Sequence, residues 1–228
     1  MTAPLPHGEE KTRAVRSMFD RVAARYDLVN RVMTFGLDVG WRRRTVEDLR
    51  LPAGARVIDV ACGTGDLCNE LERAGHRPVG VDFSLGMLAH ATTTAPLVQG
   101  DASRLPFADA SVDGVTSGFA LRNVTDLETV FDEIRRVLRP SGRVALLETA
   151  EPDGRVMRTG HRVYFGRIVP LVGGALSDRA AYAYLPRSMA YLPAPDELLA
   201  MLTRAGFDRV RRDPLGGGVA QLLTGTRA

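Results

Sequence analysis

The stretch that most constrains this chain is Arg56-Val-Ile-Asp-Val-Ala-Cys-Gly-Thr-Gly-Asp66. Its apolar half, Val57, Ile58, Val60 and Ala61, reads as a buried parallel strand. The run then breaks at Cys62-Gly-Thr-Gly65, whose glycines let the backbone turn sharply and let a ligand lie against it. A helix is expected from Asp66, with Leu67, Leu71 and Ala74 on its apolar side and its positive N-terminal end aimed at the turn. Strand, glycine turn and helix open a doubly wound α/β sheet.

The turn is not the dinucleotide-binding kind. That pattern needs a third glycine where Cys68 stands, and Asp66 would repel a pyrophosphate. The acid-x-x-x-Gly-x-Gly spacing instead suits a ligand with an ammonium beside a carboxylate, as in S-adenosylmethionine (SAM). The turn N–H groups of Gly63, Thr64 and Gly65 would take the carboxylate, and Asp59 or nearby carbonyls the ammonium. Two more acids close the following strands. Asp82, followed by Phe83, ends an expected strand over 79–83 and suits the ribose hydroxyls. Asp101, followed by Ala102, ends one over 97–100 and suits an adenine amino group. Alone, each acid also reads as a helix cap; three in succession make that account strained. Leu105 and Phe107 are expected to sandwich the adenine.

The 228 residues leave room for one such domain with an added segment. The reading is a helical leader (1–50), a cofactor-binding core (51–150), an insertion (151–193) and a closing helix and hairpin (194–228). One leader helix is expected from Glu10 to Val32. Phe19 and Met33 read as packing residues, Tyr26 and Asn30 as polar tips facing a substrate. The rest of the core is a strand over 112–118, a helix from Thr125-Asp126 ended by Pro140-Ser-Gly142, and a strand over 143–148. The insertion breaks this rhythm with two or three short helices rich in tyrosine and arginine, a lid for a flat apolar substrate. Strands over 207–213 and 219–226 close the chain around Gly216-Gly-Gly218. No apolar run reaches membrane-spanning length, and the N-terminus lacks a signal-peptide pattern. Two cysteines make no disulfide framework, which fits a reducing cytoplasm. Four scattered histidines and two cysteines lack metal-ligand spacing, so no metal is expected. A net charge of +3 does not call for nucleic acid.

Several stretches together resemble a family. They are Phe19-Asp-x-Val-Ala-x-x-Tyr-Asp-x-x-Asn30, Trp41-Arg-Arg43, Asp59 to Asp66, Asp82-Phe-Ser84, Gly100-Asp-Ala-x-x-Leu-Pro-Phe107, Leu121-Arg-Asn-Val124, Arg136-Val-Leu-x-Pro140 and Tyr184-Leu-Pro-Arg-Ser188. The core resembles class I SAM-dependent methyltransferases, and nearly the whole chain resembles the UbiE/MenG-type quinone C-methyltransferases. That resemblance implies a Rossmann-like seven-stranded sheet whose last strand is antiparallel, SAM as cofactor, and methylation of a reduced quinone ring such as demethylmenaquinol. It makes Arg122 and Asn123 the candidates for holding the ring oxygen. His161, otherwise read as a surface histidine, or a bound water would take the proton. Tyr26, Asn30, Phe119, His161, Tyr184 and Arg187 would complete the substrate pocket. A polyprenyl acceptor implies transient contact with a membrane surface through 161–191, at the inner face, by a cytoplasmic enzyme; a homodimer is left open. Glu148-Thr-Ala150 and Val219-Ala-Gln-Leu-Leu223 depart from the family pattern. Methylation of another phenolic or polyketide ring therefore stands as an alternative, and a non-catalytic SAM-binding regulator as one of a different class.

Overall fold

The computed structural model describes residues 7–228. Its sheet contains β1 (Arg56–Val60), β2 (Arg77–Asp82), β3 (Leu97–Gln99), β4 (Val112–Gly118), β5 (Leu138–Thr149), β6 (Phe207–Leu215) and β7 (Ala220–Arg227). Their spatial order is β3-β2-β1-β4-β5-β7-β6. The first five strands run parallel, and β7 is antiparallel to both of its neighbours. This is the seven-stranded Rossmann-like sheet expected, last strand included. The chain winds outward from β1 to β3, then returns to place β4 on the other side of β1. The crevice at that reversal, beyond the strands' C-terminal ends, is where such sheets take ligands.

Alternation along the strands feeds two packed layers. On one face Ile58, Val115 and Leu146 meet α6 (Leu127–Val137) and α10 (Pro195–Arg204) through Phe131, Ile134, Leu198 and Leu202. On the other, Val57, Ala145 and Leu222 meet α3 (Leu37–Leu49) and α4 (Asp66–Arg73) through Val46, Leu49, Leu67 and Leu71. Each large aliphatic or aromatic side chain buried in this way stabilises the fold by about 1.5–3 kcal/mol relative to exposure.

The leader differs from the single helix expected. It forms α1 (Gly8–Val22), a 3₁₀ turn (Ala23–Arg25) and α2 (Tyr26–Met33). Two separate docking requirements break it. Along α1, Lys11 Nζ donates to the Val124 carbonyl at 2.7 Å, and Asp20 accepts from Ser84 Oγ at 2.5 Å and the Gly86 N–H at 3.0 Å. On α2, Asp27 accepts from Thr64 Oγ1 at 2.5 Å. A straight helix cannot reach all of these partners. Strand β5 also begins earlier than expected: Pro140-Ser-Gly142 forms a bulge within it, and pairing jumps from Val112–Leu138 to Gly114–Arg143. The insertion comprises α7 (Arg155–Val163), a π-helical turn (Tyr164–Ile168), α8 (Val169–Leu176), α9 (Arg179–Ser188) and a 3₁₀ turn (Met189–Tyr191). Between β2 and β3 lies α5 (Leu85–Ala89), capped by Ser84, whose Oγ accepts from the Met87 N–H at 3.1 Å.

Candidate active site

At the end of β2, Asp82 is 5% exposed. Its two oxygens accept the Gly63 N–H at 2.8 Å and the Ser84 N–H at 2.8 Å, which ties the glycine turn to the neighbouring strand. Burial raises its pKa and these N–H groups oppose the rise. A cavity of about 390 Å³ opens beside it, lined by Gly63, Asp82, Phe83, Asp101 and Ala102. Thr12 and Phe19 of α1 and Tyr26 of α2 close its top. Asp101 stands at its exposed rim, accepting from the Ser103 N–H and hydroxyl at 2.8 and 2.7 Å. Gly63 has φ +57°, and a Cβ there would meet no atom within 4 Å, so the backbone is open to close approach. A deep carboxylate for a diol, a rim carboxylate for an amino edge and apolar Val81, Met87 and Val130 for a flat base fit SAM.

Three groups of residues stand elsewhere than expected. Asp59 is 1% exposed and lies behind the turn, outside the cavity lining. It accepts from Thr116 Oγ1 at 2.8 Å, and burial pushes its pKa up to about 7. Its position on β1 points it into the layer below the turn, so it braces the floor where an ammonium contact was expected. Thr64 is also turned away, its hydroxyl held by Asp27, and Gly65 is outside the lining. Gly65 is required by packing: at φ +91° its Cβ would stand 2.5 Å from the Thr93 methyl. Leu105 and Phe107 do not sandwich a base. Glu133 accepts the Leu105 N–H at 2.8 Å, and Arg136 donates to the carbonyls of both residues at 3.0 and 2.8 Å. Those bonds turn the loop toward α6, where Leu105 joins the core.

A second cavity, of about 520 Å³, adjoins the first and shares Phe19, Tyr26 and Phe119 with it. Phe119 follows β4 with φ +59°, a backbone that costs a side-chain-bearing residue about 1–3 kcal/mol. Its N–H donates to the Leu147 carbonyl at 2.7 Å, and its ring lies 6.4 Å from that of Trp41 and 5.5 Å from the Arg42 guanidinium. Arg42 sits between two acids, 3.5 Å from Asp38 and 3.3 Å from Asp66. The 3₁₀ turn Leu121–Asn123 then sends neighbouring residues to different cavities. Arg122, 6% exposed, lines the larger one and pairs with Glu148. Asn123 lines the smaller, and its Oδ1 accepts from Tyr184 Oη at 3.3 Å.

Asn30 and His161 line the larger cavity. His161 is half-buried and stacked on Phe165 at 4.3 Å, in contrast to the surface histidine expected. Its Nε2 finds no hydrogen-bond partner among the described residues, and burial lowers its pKa. Burial raises the pKa of Tyr26, opposed by its bond to Asn30 and by Arg42 and Arg122 nearby. Phe19 and Met33, read as packing residues, do pack against the cluster of Met18, Val22, Val29 and Tyr182, and both also line the cavity. Tyr184 acts one step back, through Asn123, and Arg187 lies in neither lining. Trp41, Arg42 and Tyr182 line the larger cavity without having been assigned to it from sequence. The i, i+4 pair Asp38–Arg42 was the available signal for one of them.

A glycine turn after β1, acids after β2 and β3, and an adjoining apolar cavity behind the β4 turn define a class I SAM-dependent methyltransferase. Within that class the chain belongs to the ubiE/COQ5 methyltransferase family, which it matches over residues 7–227. A demethylmenaquinone methyltransferase of Roseiflexus castenholzii is 44% identical, covering 99% of this chain and 98% of the relative. One of Thermus thermophilus is 44% identical, covering 92% and 100%. Among solved structures, a SAM-dependent methyltransferase of Thermotoga maritima, described as a possible histamine N-methyltransferase, has a TM-score of 0.67 at 19% identity. It covers 93% of this chain and 99% of its own, and supports the fold.

Proposed function

We propose that this enzyme methylates a ring carbon of demethylmenaquinol, giving menaquinol. The observation that carries the reading is the adjoining pair of cavities, with Tyr26 and Phe119 in the wall between them and Arg122 behind it. The names of the relatives supply the acceptor; the apolar lining of the larger cavity suits a flat ring with a prenyl tail. When bound, SAM supplies an electrophilic methyl group, so the chain's task is alignment of the ring carbon and stabilisation of the ring oxygen as its proton leaves. Arg122 stays protonated and suits that oxygen as a hydrogen-bond donor, with Asn123 orienting the group on the cofactor side. Asp82, Phe83, Asp101 and Ala102 hold the nucleoside, and the Gly63 turn the amino-acid end. Asn30 and His161 contact the acceptor ring, and His161 is a candidate proton acceptor, kept neutral by burial.

A prenylated acceptor has to enter from a bilayer. Around the mouth of the larger cavity, Phe35, Leu37 and Met157 are 78%, 53% and 50% exposed. Val163, Ile168 and Leu171 continue the apolar face along the insertion. From Arg155 to Ser177 the sequence has four arginines and no acid. An apolar face with a basic fringe suits the interface of an anionic membrane, to which it docks the cavity mouth. Among the described residues no helix is long and apolar enough to cross a membrane.

The test is methyl transfer from labelled SAM to a short-tailed demethylmenaquinone, with and without a chemical reductant. The proposal expects product only from the reduced ring. Transfer to an unprenylated phenol or polyketide, with none to the quinol, would move the enzyme to the alternative acceptor class.

A further inference from the structure

We infer that Glu148 is a positioning residue for the methyl-transfer step, acting through Arg122; this rests on the reading that Arg122 holds the acceptor oxygen. Glu148 is the next-to-last residue of β5 and is fully buried. A buried carboxylate is costly unless its oxygens are satisfied. Here the donors come from two elements. Arg122 contributes both its guanidinium and its main-chain N–H, the latter at 3.2 Å. Thr149 contributes its N–H at 2.7 Å and its hydroxyl at 3.0 Å. One side chain therefore fixes the position of the Leu121–Asn123 turn and the direction of the guanidinium together. The buried acids Asp59 and Asp82 do no such work here: Asp59 is bonded to Thr116 in the layer below the glycine turn, and Asp82 to Gly63 and Ser84 beside the smaller cavity.

The pairing also sets the charge at the cavity wall. Arg122 has N–H donors to spare after meeting Glu148. The pair as a whole is neutral, so an acceptor oxygen meets aimed N–H groups and only a fraction of a positive charge. Replacing the carboxylate by an amide of the same shape separates two effects. The guanidinium loses its anchor, which lowers kcat. The wall becomes a net cation, which makes the acceptor hydroxyl easier to ionise and moves the acidic limb of the kcat profile to lower pH. A buttress that merely held the fold would change thermal stability and leave that limb in place.

The experiment uses the full chain with SAM and short-tailed reduced demethylmenaquinol, over a range of pH, in Glu148→Gln, Glu148→Asp, Arg122→Gln and the Glu148→Gln/Arg122→Gln double variant. Misaligning a reacting group by an ångström costs roughly 10²-fold, and Glu148→Gln should lose kcat on that scale, with the acidic limb shifted down and S-adenosylhomocysteine affinity unchanged by calorimetry. In the Arg122→Gln background the same change should cost little more, because the two residues act as a unit. Glu148→Asp keeps the charge on a shorter stem; it should lower kcat, leave the KM for SAM alone and leave the limb unmoved. A full additional loss in the double variant, an unmoved limb in Glu148→Gln, or wild-type kcat in Glu148→Asp would each overturn the inference. Wild-type turnover in Arg122→Gln would instead sink the reading of Arg122.

Discussion

The two cavities are built from different parts of the chain. The smaller cavity rests on strand ends and tight turns of the central sheet: Gly63 after β1, Asp82 and Phe83 after β2, Asp101 and Ala102 after β3. The larger cavity is assembled from helices that belong to no strand order, α1 to α3 and those of the insertion, with Phe119, Arg122 and Thr149 the main contribution from the sheet and its loops. Main-chain N–H groups bonded to a strand-end carboxylate hold the first wall, as at Gly63–Asp82. Side-chain ion pairs and ring contacts hold the second, as at Asp38–Arg42 and Phe35–Tyr164. Under the proposed function, turns at the strand ends would hold a cofactor that never varies, and side chains on added helices would shape the acceptor site.

Substitutions on either side of the shared wall should therefore separate chemistry from cofactor binding. The largest effect is expected from Arg122→Gln. Loss of one donor to a developing oxyanion costs about 10²–10³-fold in kcat, with S-adenosylhomocysteine affinity kept. Loss of both together would make Arg122 a fold residue. Asp82→Ala should do the reverse, weakening S-adenosylhomocysteine by roughly 10–100-fold, the scale of a hydrogen bond to a charged group. Unchanged affinity by calorimetry would break the assignment of the first cavity.

These two regions were also unequally legible in the sequence. The walls of the smaller cavity could be read because their pattern is local: an apolar run, a glycine turn and an acid at each strand end predict both the strand and the residue at its end. Even there the reading stopped at the backbone. Asp59 and Asp82 occupy equivalent places in the pattern, yet one faces the layer below the turn and the other the cavity. Leu105 and Phe107 were misplaced because Arg136 and Glu133, about thirty residues on, decide which way their loop turns. Around the larger cavity, Tyr26, Asn30 and Arg122 were picked out and do line it, while the break at Ala23–Arg25 and the pairing of Arg122 with Glu148 were not foreseen. Both depend on partners distant in sequence, which no periodicity records.

Smaller effects sharpen the contrast. Leu171→Glu with Phe35→Glu should reduce sedimentation with anionic liposomes several-fold, because apolar area is lost and like charge is added at the mouth. Thermal stability should fall only slightly, since both side chains are exposed and Phe35 gives up a single ring contact with Tyr164; unchanged sedimentation would place the membrane contact elsewhere. The smallest effect concerns Asp59. Its pKa is raised to about 7 from the ordinary carboxylate value near 4, so the native state binds more protons between those pH values. Its contribution to stability is present at low pH and is lost as pH rises toward 7. Asp59→Asn should flatten that decline in thermal melts at pH 5 and pH 7.5 and barely change S-adenosylhomocysteine affinity. A loss of affinity as large as that of Asp82→Ala would return Asp59 to the ammonium.

The most direct measurement of the central claim is the position of the transferred methyl group. SAM carrying a ¹³C methyl, incubated with the enzyme and short-tailed demethylmenaquinol, should give a product whose ¹³C resonance belongs to a methyl on the quinone ring carbon. A methoxy resonance, or no labelled product while S-adenosylhomocysteine still binds, would contradict the alignment of ring carbon and cofactor across Tyr26 and Phe119.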